Sequence, residues 1–303
     1  MMTDPSCPDP MARAPRAAVA DESSRQWLRL PPPSLQGALV ALAARDTRAL
    51  SLSSAQRLTH LPASPMVVIS WFRGLAPGLV MPGPVWQPFG APVVISGSQS
   101  HPTVSWAPTT GAGCMACFHA DAAQALFGVD LAAIQDRIVP VEQVIDASFA
   151  PLWQALLAGK DEDMLALLEQ DLAPRWQALQ GRDSAQPSLR QLGRNWVERL
   201  AWKAQDWGRV NSARQVERRV KSFSGRSLRE WKTLVRTEGL FFAARDRYEA
   251  GQPLAWAELA QDEGFADQAH MSRVAKQITG FAPGEFAQRF IDDESFWMYR
   301  LWV

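Results

Sequence analysis

The sequence has few or none of the features that mark secreted and membrane proteins. Its only cysteines, Cys7, Cys114 and Cys117, are too few and too unevenly spaced for a secreted disulfide framework. It contains no run of 18 apolar residues, so hydropathy predicts no transmembrane helix. Its N-terminus lacks the positively charged and then apolar pattern of a secretory signal. These absences predict a cytoplasmic protein with no membrane partner.

The length and composition predict more than one folded domain. With 303 residues, of which 47% are apolar, the chain can bury enough surface for two domains. Residues 1–25 are rich in alanine, proline, serine and aspartate, which predicts a disordered leader. Residues 181–188 are polar and rich in turn formers. They predict a boundary between one domain at 26–182 and another at 189–290.

The fold class expected from these patterns is α+β. Short β-rich runs separated by glycines and prolines occur between residues 62 and 119, at 66–72, 92–98, 103–108 and 114–119. Such runs are typical of a small barrel or sandwich. From Ala120 onward, apolar residues recur every three or four positions, which indicates helices. We therefore expect a β-rich, small barrel-like N-terminal domain with following helices, and an all-α C-terminal domain.

The net charge of zero hides a strongly basic segment. Residues 190–238 carry 13 lysines and arginines against 5 aspartates and glutamates, whereas residues 239–290 carry 5 against 7. A neutral chain with one concentrated basic segment is typical of a protein that binds a polyanion through that segment.

Near the C-terminus the sequence predicts a helix, a sharp glycine turn and a second helix. Gly264 is expected to end the first helix, and Asp267 to cap the second through a backbone N–H. Gly280 is expected to end the second helix, and Pro283 to begin a third. Four apolar residues at helical spacing form the predicted inner stripe: Met271, Val274, Ala275 and Ile278.

A second copy of this pattern lies about 55 residues upstream. A helix is expected to run to Gly208, and Ser212 with Gln215 forms a predicted capping box at the start of the next helix. Gly225 is expected to end that helix, and Ser227 to begin another. Residues 234–252 are predicted to form one helix that connects the two copies.

The C-terminal region resembles the AraC/XylS-type bacterial transcription regulators. The resemblance covers about residues 190–290, and its most specific part is the stretch "LAQDEGFADQAHMSRVAKQITGFAP". It implies a sequence-specific binder of double-stranded DNA with two helix-turn-helix units on a linking helix. It also implies an effector-binding or dimerisation domain at the N-terminal end. RNA polymerase and a second copy of the chain are further candidate partners, and no cofactor is implied.

The resemblance places base-contacting candidates on the second helix of each unit. In the first unit these are Arg214, Gln215, Glu217 and Arg218, and in the second Gln268, Ala269, Ser272 and Arg273. Arginine and glutamine can bond bidentately to guanine and adenine edges in the major groove, and small residues let a helix approach closely. The candidate phosphate contacts are Ser212, Lys221 and Lys276.

Three other features leave alternatives open. Cys114 or Cys117 could serve a ligand-active or redox-active enzyme or sensor with an accessory DNA-binding domain, although in a strand the two side chains would point to opposite faces. Trp71, Trp86 and Trp106 lie among the predicted strands, where they could line a ligand pocket or pack in the core. The apolar tail at 291–303 must dock within the chain or bind a partner. The leading interpretation is an effector-responsive, non-enzymatic regulator.

Overall fold

The computed structural model describes residues 7–17, 25–83, 85–179, 189–250, 252, 256–262, 265 and 267–302. The predicted boundary at 181–188 and the predicted turn residue Gly264 lie outside the described residues. Within the described part of the chain, no helix is both long enough and apolar enough to cross a bilayer.

The N-terminal region folds into two antiparallel β-sheets. The described residues form the strands β1 Gln26–Arg29, β2 Leu39–Asp46, β3 Leu58–Leu61, β4 Val67–Arg73, β5 Gly78–Met81, β6 Val85–Pro88, β7 Val93–Ser96, β8 Thr103–Trp106, β9 Ala112–Phe118 and β10 Ile138–Pro140. One sheet has the order β1-β2-β9-β4-β7-β10, and the other has the order β3-β8-β5-β6. The expected β-rich N-terminal region followed by helices is confirmed.

The six-stranded sheet is covered on both faces. On one face, Trp71, Cys114 and Phe118 join the main hydrophobic core, which continues into the helices that follow. On the other face, Val68 and Cys117 belong to a separate small apolar cluster and line a cavity that residues of the four-stranded sheet also line. The alternation of side chains along each strand produces this division.

Four helices complete this region: α1 Ala120–Phe127, α2 Leu131–Ile134, α3 Ala150–Ala158 and α4 Met164–Leu179. The continuous helical character expected from Ala120 onward was wrong between residues 138 and 149. There the chain forms β10, which pairs antiparallel with β7 at the sheet edge, and then two short 3-10 turns. Pro140 is compatible with this edge position, because proline has no backbone N–H to donate and an edge strand has a neighbouring strand on one side only.

In the C-terminal region, the residues that the structure describes form helices and the short turns between them. Its helices are α5 Leu189–Gly208, α6 Ala213–Ser224, α7 Leu228–Glu249, α8 Trp256–Asp262, α9 Gln268–Thr279 and α10 Pro283–Asp292. Helix α7 connects the two predicted copies, and it contacts α5, α6, α8 and α9. Val220, Trp231, Leu259 and Met271 are buried on the inner faces of these helices.

The apolar tail docks within the chain. After a 3-10 turn at Glu294–Phe296, the helix α11 Trp297–Trp302 packs against β3 and β1. Phe296 and Tyr299 are buried in a cluster with Phe281 and Phe286. This arrangement agrees with intramolecular docking, because it buries Phe296, Trp297, Met298 and Tyr299, whose exposure the partner-binding alternative required.

Part of the predicted leader also lies against the tail, which differs from the disorder expected from its composition. Residues 7–17 are described, whereas residues 1–6 and 18–24 lie outside the described part. Pro15 forms a β-bridge with Asp293, and Glu294 donates its backbone N–H to the Ala14 carbonyl at 2.7 Å. The buried guanidinium of Arg289 donates to the Met11 carbonyl at 2.7 Å.

Candidate nucleic-acid interface

Helix α6 has the ends that its sequence predicts. Ser212 is the N-cap, and its side chain and that of Gln215 form a reciprocal capping box. Gly225 ends the helix in the left-handed region at φ 79°, where a β-carbon would be strained. The turn between α5 and α6 spans residues 209–212 and is closed by Asn211, whose Nδ2 donates to the Trp207 carbonyl at 2.8 Å.

Helix α9 repeats this design. Asp267 is the N-cap and accepts the backbone N–H of His270 at 2.6 Å. Gly280 ends the helix at φ 86°, and α10 begins at Pro283 after the extended N-cap Ala282. The predicted inner stripe is buried, because Met271, Val274, Ala275 and Ile278 all belong to the main core. Both helices are 12 residues long.

The candidate base-contacting residues lie on the outer faces of these two helices. Seven of the eight are exposed and Ser272 is half-buried; the exposed ones are Arg214, Gln215, Glu217, Arg218, Gln268, Ala269 and Arg273. Among the residues that the structure describes, Arg214, Arg218 and Arg273 have no hydrogen-bond or ion-pair partner. Their guanidinium donors are therefore free to bind an external acceptor.

Other candidates on α6 already have partners. The side-chain oxygen of Gln215 accepts from the backbone N–H and the hydroxyl of Ser212, at 2.8 and 2.9 Å. Bidentate recognition of adenine needs both the oxygen and the nitrogen of the amide, so Gln215 would have to leave the capping box. Glu217 and Lys221 form an exposed i,i+4 ion pair with a distance of 3.6 Å. Lys276 is exposed on the last turn of α9.

The N-terminal region holds the C-terminal ends of both helices, which sequence reasoning did not anticipate. Just after α6, the buried Arg226 donates to the Ser98 carbonyl at 2.9 Å and to Asp136 Oδ1 at 3.0 Å. At the end of α9, the Ile278 carbonyl accepts the backbone N–H of Ala63 at 2.8 Å. We call residues 61–64 and 97–102 the clamp loops.

The two clamp loops are joined to each other. Ser64 and Gln99 form a reciprocal backbone bridge, with both N–H to O distances at 2.9 Å. One connected segment of the N-terminal region therefore touches both helix-turn-helix units. Its hydrogen bonds to the two units involve backbone groups, the Ser98 hydroxyl and one arginine, so no periodic pattern in the sequence could have indicated them.

A cavity of about 230 Å³ lies beside the clamp loops. Its mainly apolar lining comes from both sheets, from the clamp loops, from Ile278 of α9 and from residues 297–299 of the tail. Of the three tryptophans considered from the sequence, Trp106 lines this cavity, whereas Trp71 is buried in the main core. Trp86 packs edge-on against Trp106, with ring centroids 5.8 Å apart.

The two strand cysteines lack the environment of reactive thiols. Cys114 and Cys117 are buried in different apolar clusters on opposite faces of β9, as predicted. Burial raises the pKa of Cys114 to about 11 and that of Cys117 to about 12, so both thiols are protonated at neutral pH. Because the thiolate is the reactive form, these values weaken the redox alternative. In the described part of the chain, no three metal-binding side chains converge.

Comparison with known protein families finds no match, and comparison with curated proteins also finds none. Among solved structures, the chain is similar to ToxT from Vibrio cholerae. An apo ToxT variant gives a TM-score of 0.38 at 13% identity, over 85% of this chain and 98% of that chain. Another ToxT structure gives a TM-score of 0.37 at 10% identity, over 86% of this chain and 97% of that chain. ToxT with a bound unsaturated fatty acid gives a TM-score of 0.31 at 12% identity, over 76% of this chain and 93% of that chain.

Proposed function

We propose that this protein is a sequence-specific, effector-responsive transcription regulator of the AraC/XylS type, which acts in the cytoplasm by binding double-stranded DNA. The observation that carries the proposal is the repeated unit. Helices α6 and α9 have equal length, a polar N-cap, a left-handed glycine at the end and a following helix. Two such units on a connecting helix suit two successive segments of the major groove.

The outer faces of the two helices are suited to different contributions to DNA binding, namely contacts to bases and attraction to phosphates. Arg214, Arg218 and Arg273 have free guanidinium groups that can each bond bidentately to a guanine. The first unit lies in the strongly basic segment 190–238, so we assign to it most of the salt-dependent attraction to phosphates. The second unit lies in a slightly acidic segment and contributes base recognition more than general attraction.

The response to an effector is proposed to pass through the clamp loops. Ala63, Ser64 and Gln99 line the cavity, and the same loops contact the ends of α6 and α9. A ligand that fits the cavity better in one arrangement of the clamp loops favours that arrangement of the loops. Because the loops contact both helix-turn-helix units, the ligand then also favours one relative placement of the two units. The coupling is reciprocal, so bound DNA must change the affinity for the effector by the same factor.

Selection from random DNA tests the proposal because it requires no assumption about the operator sequence. The purified chain selects from duplexes with a random core of roughly 30 base pairs, about three helical turns. Fluorescence anisotropy at about 150 mM salt then compares the enriched sequence with a shuffled duplex, because nonspecific binding is weak there. We expect a preference of at least about 1,000-fold, the lower range for specific binders. Enrichment of no sequence, with and without added cell extract as a source of effector, would overturn the proposal.

A further inference from the structure

The wall of the cavity carries one positive charge that no acid balances. Among the described residues that line it, the charged side chains are Arg45 and Arg57. Arg45 forms an ion pair with Glu294, so its charge is compensated. Arg57 forms no ion pair with any described residue, and partial burial lowers its pKa without a neighbouring carboxylate to oppose the effect. An arginine still stays protonated at neutral pH, so the wall keeps a net positive charge.

The Arg57 guanidinium is held at the wall by residues of the cavity itself. Its Nε donates to the Ala107 carbonyl and its Nη1 to the Leu52 carbonyl, each at 3.0 Å. Its Cζ lies 5.7 Å from the centroid of the Trp106 ring. All three of these neighbours line the cavity. Two of the five N–H donors are therefore used, whereas Nη2 bonds none of the described residues and keeps accessible surface.

We propose that the cavity binds a compact, largely apolar monocarboxylate whose carboxylate pairs with Arg57. A guanidinium matches a carboxylate in charge and in the geometry of its donors. One unpaired charge selects a monoanion, because a second negative charge would lose its hydration in the mainly apolar cavity without gaining a partner. The volume of about 230 Å³ lies below the roughly 300–1,000 Å³ of sites for drug-sized ligands, which suits a molecule of one or two rings.

Other polar groups of the lining can add hydrogen bonds to such a ligand, but they add no charge. The hydroxyls that line the cavity without a hydrogen bond to another described residue include those of Ser70, Thr103, Ser105 and Thr109. Each of them can donate to a carboxylate oxygen or to water. A neutral ligand with an acceptor oxygen could use them equally well. The charge of Arg57 is therefore what distinguishes a carboxylate from a neutral analogue of the same shape.

Arg57 lies at the start of a strand that leads to the second helix-turn-helix unit. It directly precedes β3, and the first clamp loop, 61–64, begins at the other end of that strand. Within this loop, Ala63 donates its backbone N–H to the Ile278 carbonyl of α9 at 2.8 Å. A carboxylate paired with Arg57 would therefore bind beside the strand whose far end contacts α9. Only this regulatory consequence rests on the proposed function, because the binding site itself rests on the geometry and charge of the cavity.

Biphenyl-4-carboxylate and biphenyl-4-carboxamide test the proposal as a matched pair. They have nearly the same shape, but only the carboxylate is charged at neutral pH. Isothermal titration calorimetry on the whole chain should give the carboxylate about 10-fold to 100-fold tighter binding, the value of a hydrogen bond to a charged group. Arg57→Gln should abolish that preference and retain binding of the carboxamide, because the apolar walls are unchanged. Biphenyl-4,4′-dicarboxylate should bind more weakly than the monocarboxylate.

Arg48→Gln is the matched control. Arg48 is an exposed arginine that pairs with Asp46 and does not line the cavity, so this variant should keep the wild-type preference. Equal binding of the pair to wild type, or a preference that survives in Arg57→Gln, overturns the proposal. Binding of neither probe to wild type, or tighter binding of the dicarboxylate than of the monocarboxylate, also overturns it.

A crystal structure of the wild type with biphenyl-4-carboxylate decides the case in which Arg57→Gln binds neither probe. A carboxylate oxygen should then lie about 2.7–2.9 Å from a guanidinium nitrogen of Arg57, and a carboxylate found elsewhere overturns the proposal. These measurements use no DNA, so a failure to select a DNA sequence leaves their outcome readable. Conversely, a failure of the probes leaves the proposed DNA binding standing.

Discussion

Arg226 and Asp136 are 90 positions apart in the chain, yet Arg226 Nη2 lies 3.0 Å from Asp136 Oδ1. The Arg226 side chain is 3% exposed and also bonds the Ser98 carbonyl, so this one residue ties the first helix-turn-helix unit to the N-terminal region. Partial burial alone would raise the pKa of Asp136, but hydrogen bonds from Ser100 and the charge of Arg226 outweigh that effect and lower the pKa.

We expect Arg226→Ala to loosen the first unit without unfolding the protein. The change removes hydrogen bonds from a charged donor, each worth about 1.5–3 kcal/mol, although Asp136 is partly exposed and can be rehydrated. Hydrogen exchange should therefore become faster for the backbone amides of α6 and the start of α7. Arg229→Ala is the control, because Arg229 is exposed one turn further along. Unchanged exchange rates in Arg226→Ala would show that this contact does not restrain the unit.

Arg273→Ala and Lys221→Ala should affect DNA binding in different ways. Loss of Arg273, proposed to contact a base, should cost roughly 1–3 kcal/mol on the preferred site and relax discrimination there. Loss of Lys221, proposed to contact a phosphate, should weaken binding to all sequences and lower the salt slope by about 1. Anisotropy on selected and shuffled duplexes at several salt concentrations measures both effects. If the two variants behave alike, the assignment of the outer faces is wrong.

The ends of α6 and α9 could be predicted because their causes are local. Ser212 and Gln215 are three residues apart, and the N-cap bond of Asp267 also spans three residues. Gly225 and Gly280 adopt a conformation that favours glycine whatever the surrounding fold. These features depend on a few consecutive residues, so a single sequence contains all the information that determines them.

The sheets and the contacts between regions depend on distant residues. Strand β2 was not predicted because its continuous apolar run, Leu39–Ala44, is equally typical of a buried helix. It lies between β1 and β9, and the pairing with those strands decides its conformation. The clamp loops and the part of the cavity lined by the tail likewise require residues more than 100 positions apart to meet, which no local spacing indicates.

The docked tail should contribute strongly to stability. Phe296 is fully buried, with ring centroids 5.0–5.5 Å from those of Tyr299, His60, Phe281 and Phe286. Phe296→Ala should therefore lower the free energy of unfolding by about 3–5 kcal/mol, the usual cost of removing a buried phenyl ring. Urea denaturation measures the loss. Ile291→Ala, at an exposed apolar residue nearby, should stay within about 0.5 kcal/mol of wild type. A loss below about 1 kcal/mol for Phe296→Ala would mean that the tail is only loosely attached.

His60 should make stability depend on pH in the mildly acidic range. Its ring lies 3.0 Å from Ser295 Oγ and 2.9 Å from the Pro10 carbonyl, beside the charged side chains of Arg289 and Asp293. Burial lowers the pKa of His60 to about 4 from its ordinary 6.5. Between these values the unfolded state binds more protons than the folded state, so stability must fall as the pH falls from 6.5 towards 4.

The size of this effect can be measured by comparison with a variant. A shift of this size corresponds to a loss of about 3 kcal/mol in the free energy of unfolding for one histidine. Burial also lowers the pKa of His119 to about 4, so wild type should lose the contribution of both groups. His60→Gln should start less stable at pH 7 and then lose about 2–2.5 kcal/mol less than wild type on acidification, as measured by urea denaturation at pH 7 and pH 4.5, because pH 4.5 is still above the folded pKa. Parallel losses in the two proteins would mean that His60 titrates alike in the folded and unfolded chains, and that its burial beneath the tail is not maintained in solution.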